Sequence, residues 1–349
     1  MEAVLDSTIV LFLAQDGVTN GAVYALLALS LVLVFTITRV IFIPQGEFVA
    51  YGALTLAAFE RGLVPPTVLL AVGLGVAALL DDLIRDPAAR RPARLVRAAV
   101  VDVGLPAAVL AASVIAAPRH WGPAVEVPLT LAAVALLGPS LYRLVYRPLA
   151  EASVLVLLIA SVGVHLALVG LGLLFFGAEG FRTAPLSTAT YEIGPAMVTG
   201  QSLWVLGVTA ALIVALWGFF GHTLTGKALR ATAVNRLGAR LVGIPTASAG
   251  RIAFALAAFI GALSGVLIAP VTTVFYDTGF LTGLKGFVAA IIGGLVSFPL
   301  GAAAAVLVGL VEAFASFWAS SFKEVIVFTI IIPVLLWRSI RTVHVEDEE

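Results

Sequence analysis

The sequence predicts an all-α, polytopic bundle of membrane-spanning helices. Three observations carry that prediction. Of 349 residues, 61% are hydrophobic and only 11% are charged. Mean hydropathy is +1.12. The apolar residues also gather into runs about as long as a bilayer is thick. Soluble domains carry about 25% charged residues, and the forty Lys, Arg, Asp and Glu here are too few to coat a globule of this size. The formal net charge is zero, which disfavours a basic nucleic-acid binder. Cysteine is absent, which excludes disulfides, Cys–zinc sites, cysteine-ligated clusters and thiol chemistry.

A helix needs about 20 mainly apolar residues to cross roughly 30 Å of hydrocarbon. Such runs fall at 9–36, 46–60, 65–80, 98–117, 127–146, 152–176, 201–220, 248–268, 283–297, 299–320 and 323–338. This gives ten or eleven segments in a single transmembrane domain covering 1–349. The runs 46–60 and 283–297 are short, as expected of tilted, broken or re-entrant pieces. Glu2, Asp6 and Asp16 precede the first cation, Arg39, which is unlike a cleavable signal peptide. Fifteen of the twenty Lys and Arg fall on one side of this arrangement. They include Arg39, the linker 81–97 with Arg90, Arg91 and Arg94, the pair Arg143 and Arg147, the loop 221–247, and Arg338 and Arg341. The positive-inside rule makes that side cytoplasmic, with the N-terminus outside and the C-terminus inside. The acidic tail VEDEE is expected to be solvated, and 177–200 to be a polar outside loop.

Gly17–Gly21, Gly261–Gly265 and Gly279–Gly283 have the spacing that lets helices approach closely in lipid. GEFVAYG at 46–52 and KGFVAAIIGG at 285–294 share Phe-Val-Ala beside glycines, a faint internal echo. GHTLTGKA at 221–228 approaches a phosphate loop. It lacks the final hydroxyl and follows a membrane helix where a strand is required, so nucleotide binding is rejected. From Ala228 to Val242, Leu229, Ala233, Leu237 and Leu241 recur every four residues, and Gly243 and Pro245 stop the run. The expectation is one amphipathic surface helix, with Arg236 in water, suited to lipid headgroups or to a groove on a soluble partner. Charges at membrane depth are costly and usually functional. Glu47, Lys285 and Glu312 are the candidates, the first two placed at segment starts where interfacial water is within reach. His165 is the one histidine inside a span. Neither a metal-ligand cluster nor a G-x-S-x-G is found, so neither a cofactor nor a catalytic residue is expected.

The stretch GVTNGAVYALLALSLVLVFTITRVIFIPQGEFVAYGAL (17–54) resembles the start of permease subunits of branched-chain amino-acid ABC importers. LYRLVYRPLAEASVLVLLIASVGVHLAL (141–168), GKALRATAVNRLGARLVGIPT (226–246) and LKGFVAAIIGGLVSFPLGAAAAVLVGLVEAF (284–314) continue the match. The family commonly has Asn-Phe-Ala-His where Phe42-Ile43-Pro44-Gln45 stand here. The resemblance implies a bacterial inner-membrane permease working with ABC ATPase subunits, a second permease subunit and a periplasmic substrate-binding protein. It implies that 228–242 is a coupling helix, with Arg230, Asn235, Arg236, Arg240, Gly243 and Ile244 facing the ATPase. Gly46-Glu47-Phe48 and Glu312 also match the family, and because glycines and a few polar groups meet membrane depth in 46–52 and 283–294, Gly46, Glu47, Phe48, Gly286, Gly293, Gly294 and Glu312 are expected to belong to the translocation pathway. An ion-coupled carrier using Glu47 or Glu312 is the competing expectation.

Overall fold

A computed structural model describes residues 7–85, 92–193 and 196–341. Glu2, Asp6, Arg90, Arg91 and the acidic tail lie outside the described residues, as do the side chains of Arg94, Arg338 and Arg341. The chain begins with α1 (Ser7–Thr38), α2 (Gln45–Glu60) and α3 (Pro66–Arg85). Helices α4 (Pro92–Ala99) and α5 (Leu105–Ala116) join through a π-turn at Val100–Gly104. Next come α6 (Pro123–Ala135) and α7 (Leu137–Leu141), which runs into a second π-turn at Tyr142–Tyr146. After α8 (Val154–Phe176), strands β1 (Thr190–Ile193) and β2 (Ala196–Thr199) form an antiparallel pair with Thr190 opposite Thr199. The remainder is α9 (Gly200–His222), α10 (Leu224–Val234), α11 (Arg236–Leu241), α12 (Thr246–Ile268), α13 (Thr278–Ile292), α14 (Phe298–Trp318), α15 (Lys323–Thr329) and α16 (Ile331–Arg341).

Among the described residues, nine helices are long and apolar enough to cross a membrane, counting α4–α5, α6–α7 and α15–α16 as continuous rods. Their starts are set by local chemistry. Ser153, Thr199, Thr223 and Ser297 each accept a hydrogen bond from a first-turn amide of α8, α9, α10 and α14. The lipid-facing helices α8 and α9 bury only one narrow side each, whereas α1 is buried over most of its length. Helix α1 runs antiparallel to α14. A Cβ on Gly17 would stand 2.7 Å from the Leu310 Cα, and one on Gly21 2.7 Å from the Val306 Cα. The two glycines therefore act as the close-packing surface their spacing predicts.

Helices α2 and α13 differ from the rest. Their 16 and 15 residues span only about 24 Å and 22 Å, short of a bilayer core. Gln45, at the start of α2, donates from Nε2 to the Ala257 carbonyl, halfway along α12, at 2.9 Å. Helix α2 therefore begins at mid-depth, after the irregular stretch 39–44, and ends at Glu60. Helix α13 follows a similar irregular return at 269–277, starts five residues earlier than the predicted run 283–297, and ends at Ile292. The starts of the two short helices meet. A Cβ on Gly46 would lie 2.7 Å from the Gly279 carbonyl carbon and 3.1 Å from the Gly283 Cα.

Three local expectations are corrected. The run 228–242 is two helices, because Asn235 leaves helical geometry (φ −147°, ψ 101°) and caps α11 by accepting from the Gly238 amide at 2.8 Å. The loop 177–200 contains the β1–β2 hairpin. Arg143, expected in a loop, is buried in the second π-turn.

Candidate functional site

A cavity of about 800 Å³ opens where α1, α8, α13, α14 and α15 converge. Asp16, Val271 and Lys323 stand near the helix ends on the hairpin side and form part of its wall. Deeper, Tyr24, His165, Lys285 and Glu312 line it. On the same side, the Gln15 side chain donates to Met197 of β2, and Phe181 pairs with Val274 by backbone hydrogen bonds.

Lys285 on α13 and Glu312 on α14 are 27 residues apart in sequence and in contact in space. Lys285 Nζ donates to Glu312 Oε1 at 2.5 Å and lies 3.2 Å from Glu324 Oε1. The Tyr24 hydroxyl donates to the other Glu312 oxygen at 2.6 Å. Helices α1, α13, α14 and α15 are thus tied by one charged network. Lys285 and Glu312 are both buried, which is tolerable because each charge has a counter-ion and further hydrogen bonds. The expectation that Lys285 reaches interfacial water is therefore wrong. The earlier start of α13 moves it from the end of a segment to the middle of one.

Glu47 is also buried rather than interfacial, with no exposed surface. Its Oε1 lies 3.0 Å from His165 Nδ1, across 118 residues of chain. His165 packs against the Phe280 ring at 4.7 Å between centroids and carries Glu47 to the cavity wall. Glu47 occupies the first turn of α2, where the helix dipole favours a negative charge. Phe48 turns away into an aromatic cluster with Phe42, Tyr146 and Phe254. Gly286 packs on Leu27, Gly293 packs on the Gly301 backbone, and Gly294 makes the turn after α13 with φ +81°. Among the described residues no group of three or more His, Cys, Asp or Glu is placed to hold a metal ion.

The α10–α11 segment lies at the opposite face, where Leu229 packs with Leu33 and Ile37 near the end of α1. Arg230 is exposed. Arg236 is half-buried and donates from Nη1 to the Ala150 carbonyl at 3.2 Å, so it does not sit free in water as expected. Arg240 donates to Thr246 Oγ1 at 3.1 Å. Gly243 turns the chain with φ +84°, and the Ile244 amide donates to Ala239. The break at Asn235 splits the apolar stripe. Leu229 is buried, while Leu237 and Leu241 are 67% and 79% exposed beside Val234 and Val242.

Sequence reading singled out Glu47, Lys285 and Glu312 separately but did not pair them. It missed Tyr24 and Glu324 as members of the network. The available signal was charge sign: an isolated cation in one apolar run and an isolated anion in the next call for each other.

Residues 96–335 match the family model described as branched-chain amino acid transport system / permease component. The high-affinity branched-chain amino acid transport system permease protein LivH of Escherichia coli (strain K12) is 26% identical over 338 residues, covering 93% of each chain. The corresponding LivH of Salmonella typhimurium has the same identity and coverage. BraD of Pseudomonas aeruginosa, a permease protein with the same description, is 29% identical over 208 residues, or 58% of this chain and 68% of its own. No solved structure matches. With a family match across more than half its length and apolar helices throughout, the chain belongs to the branched-chain amino acid transport permease components of ABC importers.

Proposed function

We propose that this chain forms one half of the translocation passage of a bacterial inner-membrane importer for branched-chain amino acids, driven by ATPase subunits it does not itself contain. The observation that carries the reading is the cavity at the meeting of α1, α13 and α14. It brings buried charges to membrane depth in a chain that belongs to this family. A periplasmic binding protein delivers the solute to the hairpin side, where the cavity opens. A second permease subunit completes the passage.

On this reading the N-terminus and the hairpin lie outside, and α10–α11 and the C-terminus lie in the cytoplasm. The distribution of Arg and Lys supports that orientation. The ATPase docks on the α10–α11 face through exposed Arg230 and Arg240 and the apolar Leu237 and Leu241. The wall of the passage is made by Tyr24, His165, Lys285 and Glu312, with Glu47 behind His165. Gly46, Gly286, Gly293 and Gly294 contribute by close helix approach and turning, and Phe48 by packing at the base.

The test is reconstitution in liposomes with the partner ATPases, the second permease and the binding protein. Leucine should accumulate only when ATP and the binding protein are both supplied. Uptake by this chain alone, or uptake abolished by an uncoupler while ATP persists, would establish an ion-coupled carrier instead.

A further inference from the structure

The Lys285–Glu312–Glu324 network carries chemistry that a packing role does not require. Two carboxylates share one ammonium, and all three groups line the cavity. Glu312 is held on its far oxygen by Tyr24, so its near oxygen is aimed at Lys285. The second oxygen of Glu324 is buried and has no hydrogen-bond partner among the described residues. A buried acceptor without a donor is costly and marks a place for a donor-bearing group. Lys285 in turn has a strongly hydrated head with three donors, of which Glu312 engages one by hydrogen bond while Glu324 Oε1 stands 3.2 Å away as an ion-pair partner.

We propose that this trio is an exchangeable ion-pair site for the head group of a zwitterionic α-amino acid, Lys285 receiving the carboxylate and Glu312 with Glu324 receiving the ammonium. The assignment rests on the transport reading above. Its physical basis is charge conservation at membrane depth. Pulling Lys285 away from Glu312 would leave the buried Glu312 carboxylate with the Tyr24 hydroxyl and no counter-ion. A zwitterion inserted between Lys285 and Glu312 gives each charge a new counter-ion, and its ammonium supplies a donor to the orphan oxygen of Glu324. A carboxylate without an amine meets Lys285 but also two like charges. An amine without a carboxylate meets the glutamates but leaves Lys285 without compensation. The wall around the trio includes Leu13, Val169, Ile268, Val271 and Phe280, which suits an aliphatic side chain. The volume, about 800 Å³, lies within the range of small-molecule sites, roughly 300–1,000 Å³.

The absence of cysteine makes a direct test available. Ser316, also on the cavity wall and one turn beyond Glu312, accepts a thiol with little change in size. In the complete importer in lipid nanodiscs, the rate at which N-ethylmaleimide modifies Ser316→Cys is followed by mass. Leucine, leucinamide and 4-methylpentanoate are added in turn. Leucine at ~10 mM should slow modification about five-fold, the factor 1 + [L]/Kd for a low-millimolar site. The amide and the acid should each slow it less than two-fold. In the neutralised double variant Lys285→Met/Glu312→Gln, where Gln still accepts from Tyr24, leucine should lose its effect while the unprotected rate stays the same. Equal slowing by all three compounds, no slowing by leucine, or slowing that survives the double variant would overturn the site. If ATP-driven uptake is intact while leucine gives no protection, only this assignment fails. If uptake itself is absent, the transport reading fails.

Discussion

Among the described residues, two ion-pair clusters are each centred on a buried cation, and they differ in what surrounds them. In one, Lys285 joins Glu312 and Glu324 at the wall of a cavity. In the other, Arg143 pairs with Asp82 and, at 2.5 Å, with Asp102, while Arg147 reaches Asp82 at 3.2 Å. The second cluster ties α3, the α4–α5 rod and the α6–α7 rod together, with Arg147 at the edge of a smaller cavity of about 280 Å³. Arginine suits that clamp because its planar fork serves two carboxylates at once and stays charged. Lysine suits the first, because a compact ammonium on a flexible stem can change partners. Similar pairings thus serve fastening in one place and, on our reading, exchange in the other.

The contrast can be broken experimentally, and the largest effect is expected at the clamp. Arg143→Met strips two acids of their buried partner and should cost about 3–5 kcal/mol. A thermal midpoint in detergent that does not fall would show that the cluster fastens nothing. Gly46→Ala comes next. Its methyl would meet the Gly279 backbone, which cannot rotate aside. Overpacking of this kind costs about 1–3 kcal/mol, and the same midpoint measures it. The double variant Lys285→Met/Glu312→Gln should change stability by less than about 1 kcal/mol, since neutral replacement of a buried pair is often neutral. Leucine uptake should nonetheless fall by at least about ten-fold, or 1.4 kcal/mol. A large loss of stability with normal uptake would make the cavity network a second clamp. Leu237→Ser, at a side chain 67% exposed, should alter stability by no more than about 0.5 kcal/mol. It should reduce recovery of the ATPase with the purified permease, and unchanged recovery would remove Leu237 from the docking face.

Much of the architecture was legible because lipid imposes a simple rule on apolar runs. The long helices α1, α12 and α14 appear as predicted, and the glycine pairs pack as predicted. The predicted short runs are the two half-length helices, but hydropathy does not reveal that their ends meet at mid-depth. That contact depends on Gly46 and Gly279, more than two hundred residues apart. The pairing of Glu47 with His165 was equally out of reach, since no periodicity links residues on different helices. The break at Asn235 had a readable signal. Asparagine three residues before a glycine competes with helix interior by capping its own downstream amide. The four-residue recurrence of leucines masked it.

The two π-turns have a bearing on how this segment tolerates change in length. Val100–Gly104 and Tyr142–Tyr146 carry Asp102 and Arg143, the partners of the clamp. A π-turn accommodates one residue more than an α-turn. Removing a single residue from 100–104 would restore a regular spiral and swing everything after it by ~100°. Pro106, Val109, Ser113 and Ala116, now packed inward, would then be presented to hydrocarbon. The register of α5 is therefore written into the length of one turn, and a one-residue deletion there should be more damaging than most single substitutions along the same rod.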